Sequence, residues 1–170
     1  MYHTLGMECL SPFKNLFIED EDYIKLLQNL CDYLKIPLEF LRYGTDVHSK
    51  AKYPIMKLGD IAVHCNHDEK VEDALEKWNR RLQKINYDNL FVELYTLNGD
   101  IAEKFVSLKQ YSRKICFVPF QACCENMFQL KFNPVQKEFY QAVNSSASIS
   151  GNAYYLVDLL LGSIRQRIEV

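Results

Sequence analysis

What the chain has little of narrows its class before any motif is considered. Charge of one sign is not in excess: 20 Lys+Arg face 22 Asp+Glu, scattered along the chain, for a formal net charge of −2. That balance gives no basic footprint for a nucleic acid. Long apolar runs are missing too. The longest near the C-terminus, residues 153–161, is interrupted by Asp158 and falls far short of the roughly 20 residues a bilayer span needs. The first residues, MYHTLGMECLSPF, lack a charged stretch followed by an apolar one, so no secretory signal is visible and a cytoplasmic protein is expected. The six cysteines show neither a C-x-x-C pair nor a disulfide-framework spacing, which favours reduced thiols. No G-x-G-x-x-G, Walker-type glycine loop, G-x-S-x-G elbow or H-E-x-x-H occurs. P-loop, serine-hydrolase and zincin chemistry are thereby removed. No internal repeat or low-complexity tract divides the chain, so residues 1–170 read as one domain.

What is present is an alternation of strand-like and helix-like segments. Residues 52–94 read as strand, polar loop, amphipathic helix, polar loop, strand, which is the pattern of a βαβ unit. Ile61, Val63 and Cys65 alternate with Ala62 and His64, the period of a strand. Asp68 is placed to cap the next helix, over 69–84, whose apolar stripe is Val71, Ala74, Leu75, Trp78 and Leu82. Acid-first pairs Asp73–Lys77 and Glu76–Arg80 lie on its opposite face. Upstream, 13–18 suggests a short strand, 20–34 a helix opened by acidic residues, 38–41 a brief strand, and 43–52 an exposed loop around Gly44. Downstream, 90–95 and 114–120 read as strands, 101–108 as a short helix, 133–143 and 152–167 as helices, and 144–150 as a Ser-rich loop. The pattern predicts an α/β fold, three-layer α/β/α with a mostly parallel sheet.

In such sheets ligands bind beyond the carboxyl ends of the strands. That rule selects His64, Asn66 and His67 after the 61–65 strand, Tyr95 and Asn98 after the next, and Gln121 after the third. It assigns Asn86, Asp88 and Asn89 to the structural edge. His67 is the leading catalytic candidate, because a histidine in a loop that opens a helix can act as acid or base near neutral pH or contact a phosphate. His64, inside the strand, has packing beneath a helix as its alternative. Asp60 precedes the strand and could bond the Gly59 turn. Arg80 and Arg81 diverge around their helix, one towards solvent and the other within reach of a rim carboxylate or ligand. A zinc site from His64, Cys65 and His67 conflicts with strand alternation, which turns Cys65 to the opposite face. The vicinal pair Cys123–Cys124 has no metal-site spacing in its favour.

Three stretches, YHTLGMECLSPFKNLFI, EDYIKLLQNLCDYL and YPIMKLGDIAVHCNHDEKVEDALEKWNRRLQKINYDNLFV, occur in an order that resembles a bacterial family of unknown function. Its members are labelled exopolysaccharide (capsule) biosynthesis proteins. The resemblance covers roughly residues 2 to 120. It is carried by Ser11–Pro12 with Leu16, Tyr53–Pro54 with Leu58 to Ile61, His67, Trp78 with Arg80–Arg81, and Ile85–Asn86 with Asp88–Asn89. Relatives carry an upstream strand before the YHTLG-like stretch. This chain begins at Met1–Tyr2–His3, as though that strand had been lost or translation started internally, and an incomplete site is expected if that segment forms part of it.

The resemblance implies a surface-polysaccharide biosynthesis protein, acting as a glycosyl or other group transferase. Its expected partners are a nucleotide-sugar or other activated phosphate-bearing donor and a carbohydrate acceptor. On that reading His67 and Asp60 are catalytic, and His64, Asn66, Arg81, Tyr95 and Asn98 bind substrate. No cofactor or metal is assigned. The rivals are a non-catalytic scaffold of the same pathway, anchored by some of its 11 tyrosines and 10 phenylalanines, and a carbohydrate hydrolase. The hydrolase would use paired carboxylates such as Asp60 and Glu93 across one cleft.

Overall fold

The computed structural model describes residues 11–47 and 49–129. The chain divides into two compact units, one ending at Tyr87 and the other starting at Asp88. The first is built on an antiparallel meander: β1 (Leu38–Thr45), β2 (Lys52–Leu58) and β3 (Ile61–His64), in that order. Gly59 and Asp60 alone join β2 to β3, closing the register Leu58↔Ile61. Gly59 has φ 64° and Asp60 a negative φ, the signature of a II′ hairpin turn. Phe17 adds one antiparallel bridge on the outer edge of β3, exchanging backbone bonds of 3.0 and 2.8 Å with His64.

Strand alternation sorts the side chains of this sheet by face. Met56, Leu58, Ile61 and Val63 are each at most 1% exposed, and α1 (Asp20–Gln28) packs on β3 with Ile24, Leu26 and Leu27 buried. Asn29, at φ −134° and ψ 39°, interrupts the expected single helix and separates α1 from the short α2 (Leu30–Tyr33). Asn accepts this non-helical conformation readily. Asp22 of α1 accepts a 3.3 Å bond from the Ala62 N–H, covering part of the outer edge of β3.

α3 (Val71–Leu82) buries Ala74 and Trp78, as its stripe predicts. Phe13 meets the Trp78 ring edge-on at 5.5 Å. Asp68 does not cap this helix; the N-cap position is Lys70, without a side-chain bond. Asp68 is turned inward, buried and ion-paired to Lys77. Lys77 is therefore engaged with Asp68, while Glu76–Arg80 forms the expected i,i+4 pair at 3.7 Å.

The second unit holds a parallel sheet in the order β4 (Val92–Tyr95), β5 (Lys114–Val118), β6 (Met127–Gln129). β5 is central and buried at every position. α4 (Gly99–Val106) crosses from β4 to β5 and packs on β5 through Ile101, Ala102 and Phe105. The βαβ unit of this chain is thus β4–α4–β5, not the segment 52–94. β3 and β4 belong to different sheets, because a two-residue turn pairs β3 locally with β2 at a small loop-closure cost. The fold class is mixed α/β, and the described residues form one antiparallel and one parallel sheet in place of a single mostly parallel one. The loop expected over 43–52 is shorter, since β1 runs on to Thr45, and the strand expected over 13–18 is a turn followed by the Phe17 bridge. The helices expected over 133–143 and 152–167, and the loop between them, lie outside the described residues.

Candidate functional site

The residues that converge in the first unit gather at the carboxyl end of β3. Cross-strand register places Arg42, Ile55, His64 and Phe17 in one row across the sheet, on the face opposite Met56 and Val63. Tyr53 stands beside that row, its ring over Gly44; a Cβ on Gly44 would lie 2.8 Å from the ring. The Tyr53 hydroxyl reaches His64 Nδ1 at 3.2 Å, and the Phe17 ring contacts the imidazole at 5.4 Å. Burial lowers the His64 pKa, opposed by Glu19 and reinforced by Arg42, so the imidazole is neutral at pH 7. The contact ties the ring through Nδ1: where Nδ1–H donates to the Tyr53 oxygen, Nε2 keeps its lone pair, and where the hydroxyl donates to Nδ1, Nε2 carries the proton.

The chain then turns sharply. The Asp68 N–H bonds the Cys65 carbonyl at 2.9 Å, making Asn66 and His67 the two central residues of a β-turn. Neither has a positive φ, which identifies type I. Cys65 and Asp68 are buried on either side of them, the Cys65 thiol pushed up to about 12 by burial, while Asn66 and His67 are exposed. Neither exposed side chain bonds another described residue. The turn is held from beneath and presents two polar groups without a structural task. A helix dipole contributes little here, since α3 starts at Val71 with Glu72 and Asp73 already in its first turn.

Arg81 supports this region from behind. Its Nη1 donates to the Lys14 carbonyl at 2.8 Å, and with the Phe13–Trp78 contact it fixes the segment that carries Phe17 to His64. Arg81 was expected to contact a ligand, and the bond described for its guanidinium is to this backbone carbonyl. Asp60 stands apart. It lies at the opposite end of β3, four residues from His64 and so roughly 13 Å away at about 3.3 Å per residue. There it bonds Lys25 and, at 2.6 Å, the Tyr33 hydroxyl, beside an open depression lined by Asn29, Asp32, Ile36 and Gly59. Both bonds lower its pKa, Lys25 more than Tyr33.

Tyr95 and Asn98 belong to the second unit. Tyr95 stacks on Phe117 at 4.9 Å and 12°, and Asn98 caps α4 by accepting from the Asp100 and Ile101 N–H groups at 2.9 and 3.4 Å. Glu93 is on β4 in this unit, its pKa raised by burial and lowered in part by a bond to Tyr95. It and Asp60, the carboxylates considered for hydrolysis, therefore lie in separate units. Sequence reasoning missed Tyr53, Phe17 and Arg42. Tyr53 lies in a strand-like stretch, 52–58, around a helix-breaking Pro54, whereas Phe17 and Arg42 join the row only through register. Asp20–Asp22 has D-x-D spacing; it forms the first turn of α1, with Asp22 engaged by the Ala62 N–H.

A mixed α/β protein with a histidine-centred polar cluster at one sheet end is the class that fold and site define. The chain belongs to the family described as a domain of unknown function, DUF1919, which matches residues 1–159. It is also 35% identical over 106 residues to an uncharacterized protein of Haemophilus influenzae, a match covering 62% of this chain and 48% of that relative. The matched region thus spans about half the relative's length. Among the described residues, no helix is long and apolar enough to cross a membrane.

Proposed function

We propose that this protein is a cytoplasmic group transferase of surface-polysaccharide assembly, using an activated, phosphate-bearing donor at the His64–His67 end of the antiparallel sheet. The observation that supports it most is the pairing of two unlike histidines three residues apart. His64 is desolvated, neutral and oriented by Tyr53, and His67 is exposed on a tight turn without a structural bond to the described residues. In the tautomer whose Nδ1–H donates to the Tyr53 oxygen, Nε2 keeps a free lone pair, and a neutral imidazole so oriented is suited to removing a proton from an acceptor hydroxyl. An exposed histidine beside Asn66 supplies donors to a phosphate or sugar oxygen. The polysaccharide context rests on the resemblance of the SP, YP…LGDI, W-x-RR and IN-x-DN elements. Asp60, ion-paired at the far end of β3, is left outside this site.

The test is a thermal-shift panel of nucleotide sugars, free nucleotides, acyl-CoAs and simple glycans, with and without Mg²⁺. A ligand at 100 times its Kd stabilises by about 2.7 kcal/mol, which moves the midpoint by several degrees. The reading expects a nucleotide-selective shift that His64→Ala and His67→Ala abolish and Asp60→Asn preserves. A panel without any shift, or a shift indifferent to both histidines, rejects it. A scaffold role is favoured by one other feature, the exposed aromatic edge of β1.

A further inference from the structure

The two edges of the antiparallel sheet are treated differently. The outer edge of β3 is covered, with His64 paired to Phe17 and the Ala62 N–H bound by Asp22. The outer edge of β1 has no such cover among the described residues, although β1 is the longest strand described, Leu38–Thr45. Large apolar side chains stand exposed along it. Phe40, Leu41 and Tyr43 are 46, 47 and 51% exposed, and the Phe40 and Tyr43 rings lie 5.1 Å apart.

A bulge at Leu41 explains this grouping. The register with β2 jumps from Phe40↔Met56 to Arg42↔Ile55, so Leu41 is the extra residue. Beyond it the alternation is shifted by one. Phe40 and Tyr43, opposite Met56 and Pro54, fall on one face; Glu39 and Arg42, opposite Lys57 and Ile55, fall on the other. Neither Glu39 nor Arg42 has an ion-pair partner among the described residues.

Charged side chains and bulges guard many edges, and against a second copy of the same strand charges guard by repulsion, which requires like signs to meet. β1 carries one charge of each sign on the same face. Set antiparallel to itself about a two-fold axis, the strand places Glu39 opposite Arg42 of the second copy, and Arg42 opposite its Glu39. The same register puts Leu38 opposite Tyr43 and joins the two Phe40–Tyr43 pairs into one aromatic cluster. Opposite charges and aromatic pairs across strands are both favourable. We infer that β1 is a self-association edge, through which two copies of this chain pair antiparallel into a continuous six-stranded sheet. The inference is independent of the transferase reading.

Sedimentation equilibrium of the full chain over a wide concentration range tests it through charge reversal. The wild type is expected to dimerise reversibly. Glu39→Arg and Arg42→Glu, each made alone, give an all-basic and an all-acidic strand and are expected to stay monomeric, with unchanged circular dichroism because both positions are exposed. Mixed one to one, the two variants are expected to form a heterodimer, and the double variant Glu39→Arg/Arg42→Glu a homodimer. A monomeric wild type, single variants that still dimerise, or a mixture that stays monomeric would each overturn the inference. A monomeric wild type would assign the edge to a different partner.

Discussion

Gly44→Ala probes the candidate site through a residue that has no chemistry of its own. Gly44 sits inside β1 without a left-handed φ, so backbone strain does not forbid alanine. On conformational grounds alone, alanine would gain about 0.5–1 kcal/mol over glycine in a strand. The new Cβ, however, would meet Tyr53 Cζ at 2.8 Å and Ile55 Cδ1 at 2.9 Å, both closer than real contacts allow. Ile55 is 1% exposed and cannot yield easily, so the Tyr53 ring must move. Overpacking of this kind costs about 1–3 kcal/mol. The net expectation is a loss of about 0.5–2 kcal/mol by urea denaturation at unchanged m. Displacing the ring also removes the hydroxyl from His64 Nδ1, so the His64 imidazole resonances should move in a ¹H–¹⁵N spectrum. In a Tyr53→Ala background only the Ile55 Cδ1 contact remains, and the cost of Gly44→Ala should fall there. A neutral or stabilising Gly44→Ala in the wild-type background would refute the reasoning.

Three further outcomes follow from the same geometry. Gly59→Ala should destabilise by about 1–2 kcal/mol in urea denaturation, because φ 64° is left-handed and its Cβ would lie 3.1 Å from Ile36 Cδ1; an unchanged midpoint would argue against the II′ turn. His64 has a pKa lowered by burial, so its contribution is fully present above the ordinary value of 6.5 and is lost as the pH falls from there through its folded value. Stability profiles of wild type and His64→Gln should therefore diverge below pH 6.5 and run parallel above it. Native alkylation followed by mass spectrometry should label Cys31, Cys123 and Cys124 before Cys65 and Cys116; Cys65 is buried with its pKa at about 12 and should react only on unfolding.

Much of the local structure was legible in the sequence because it depends on near neighbours. The stripe of α3 named Ala74 and Trp78 as core, and the alternation of Ile61, Val63 and Cys65 separated inward from outward positions on β3. The helix expected over 101–108 is α4, which starts two residues earlier at Gly99, with Asn98 as its N-cap satisfying two orphan N–H groups. The same alternation kept Cys65 off the face of His64. Asn66 and His67 were singled out on local grounds, and they stand exposed on a turn.

Tertiary structure decided what depended on distant partners. Periodicity describes one strand at a time and is blind to which strand it meets, so it could not choose between β2 and β4 as the partner of β3. Gly59–Asp60 and the short hairpin made that choice. Once β3 ran antiparallel, the carboxyl-end rule no longer governed it, and the site took its neighbours from register: Tyr53, Arg42 and Phe17. Arg81 illustrates the same limit, since its partner is the Lys14 carbonyl 67 positions away. Asp68 could reach either its own helix terminus or Lys77, and burial favoured the charged partner. The sequence by itself thus determined which residues of β3 and α3 face inward, where helices lie to within about two residues, and which polar groups remain without a local task. Strand partners, the identity of the two sheets and the company kept by His64 were settled only by long-range pairing, because the free energy that selects them lies in contacts no local window contains.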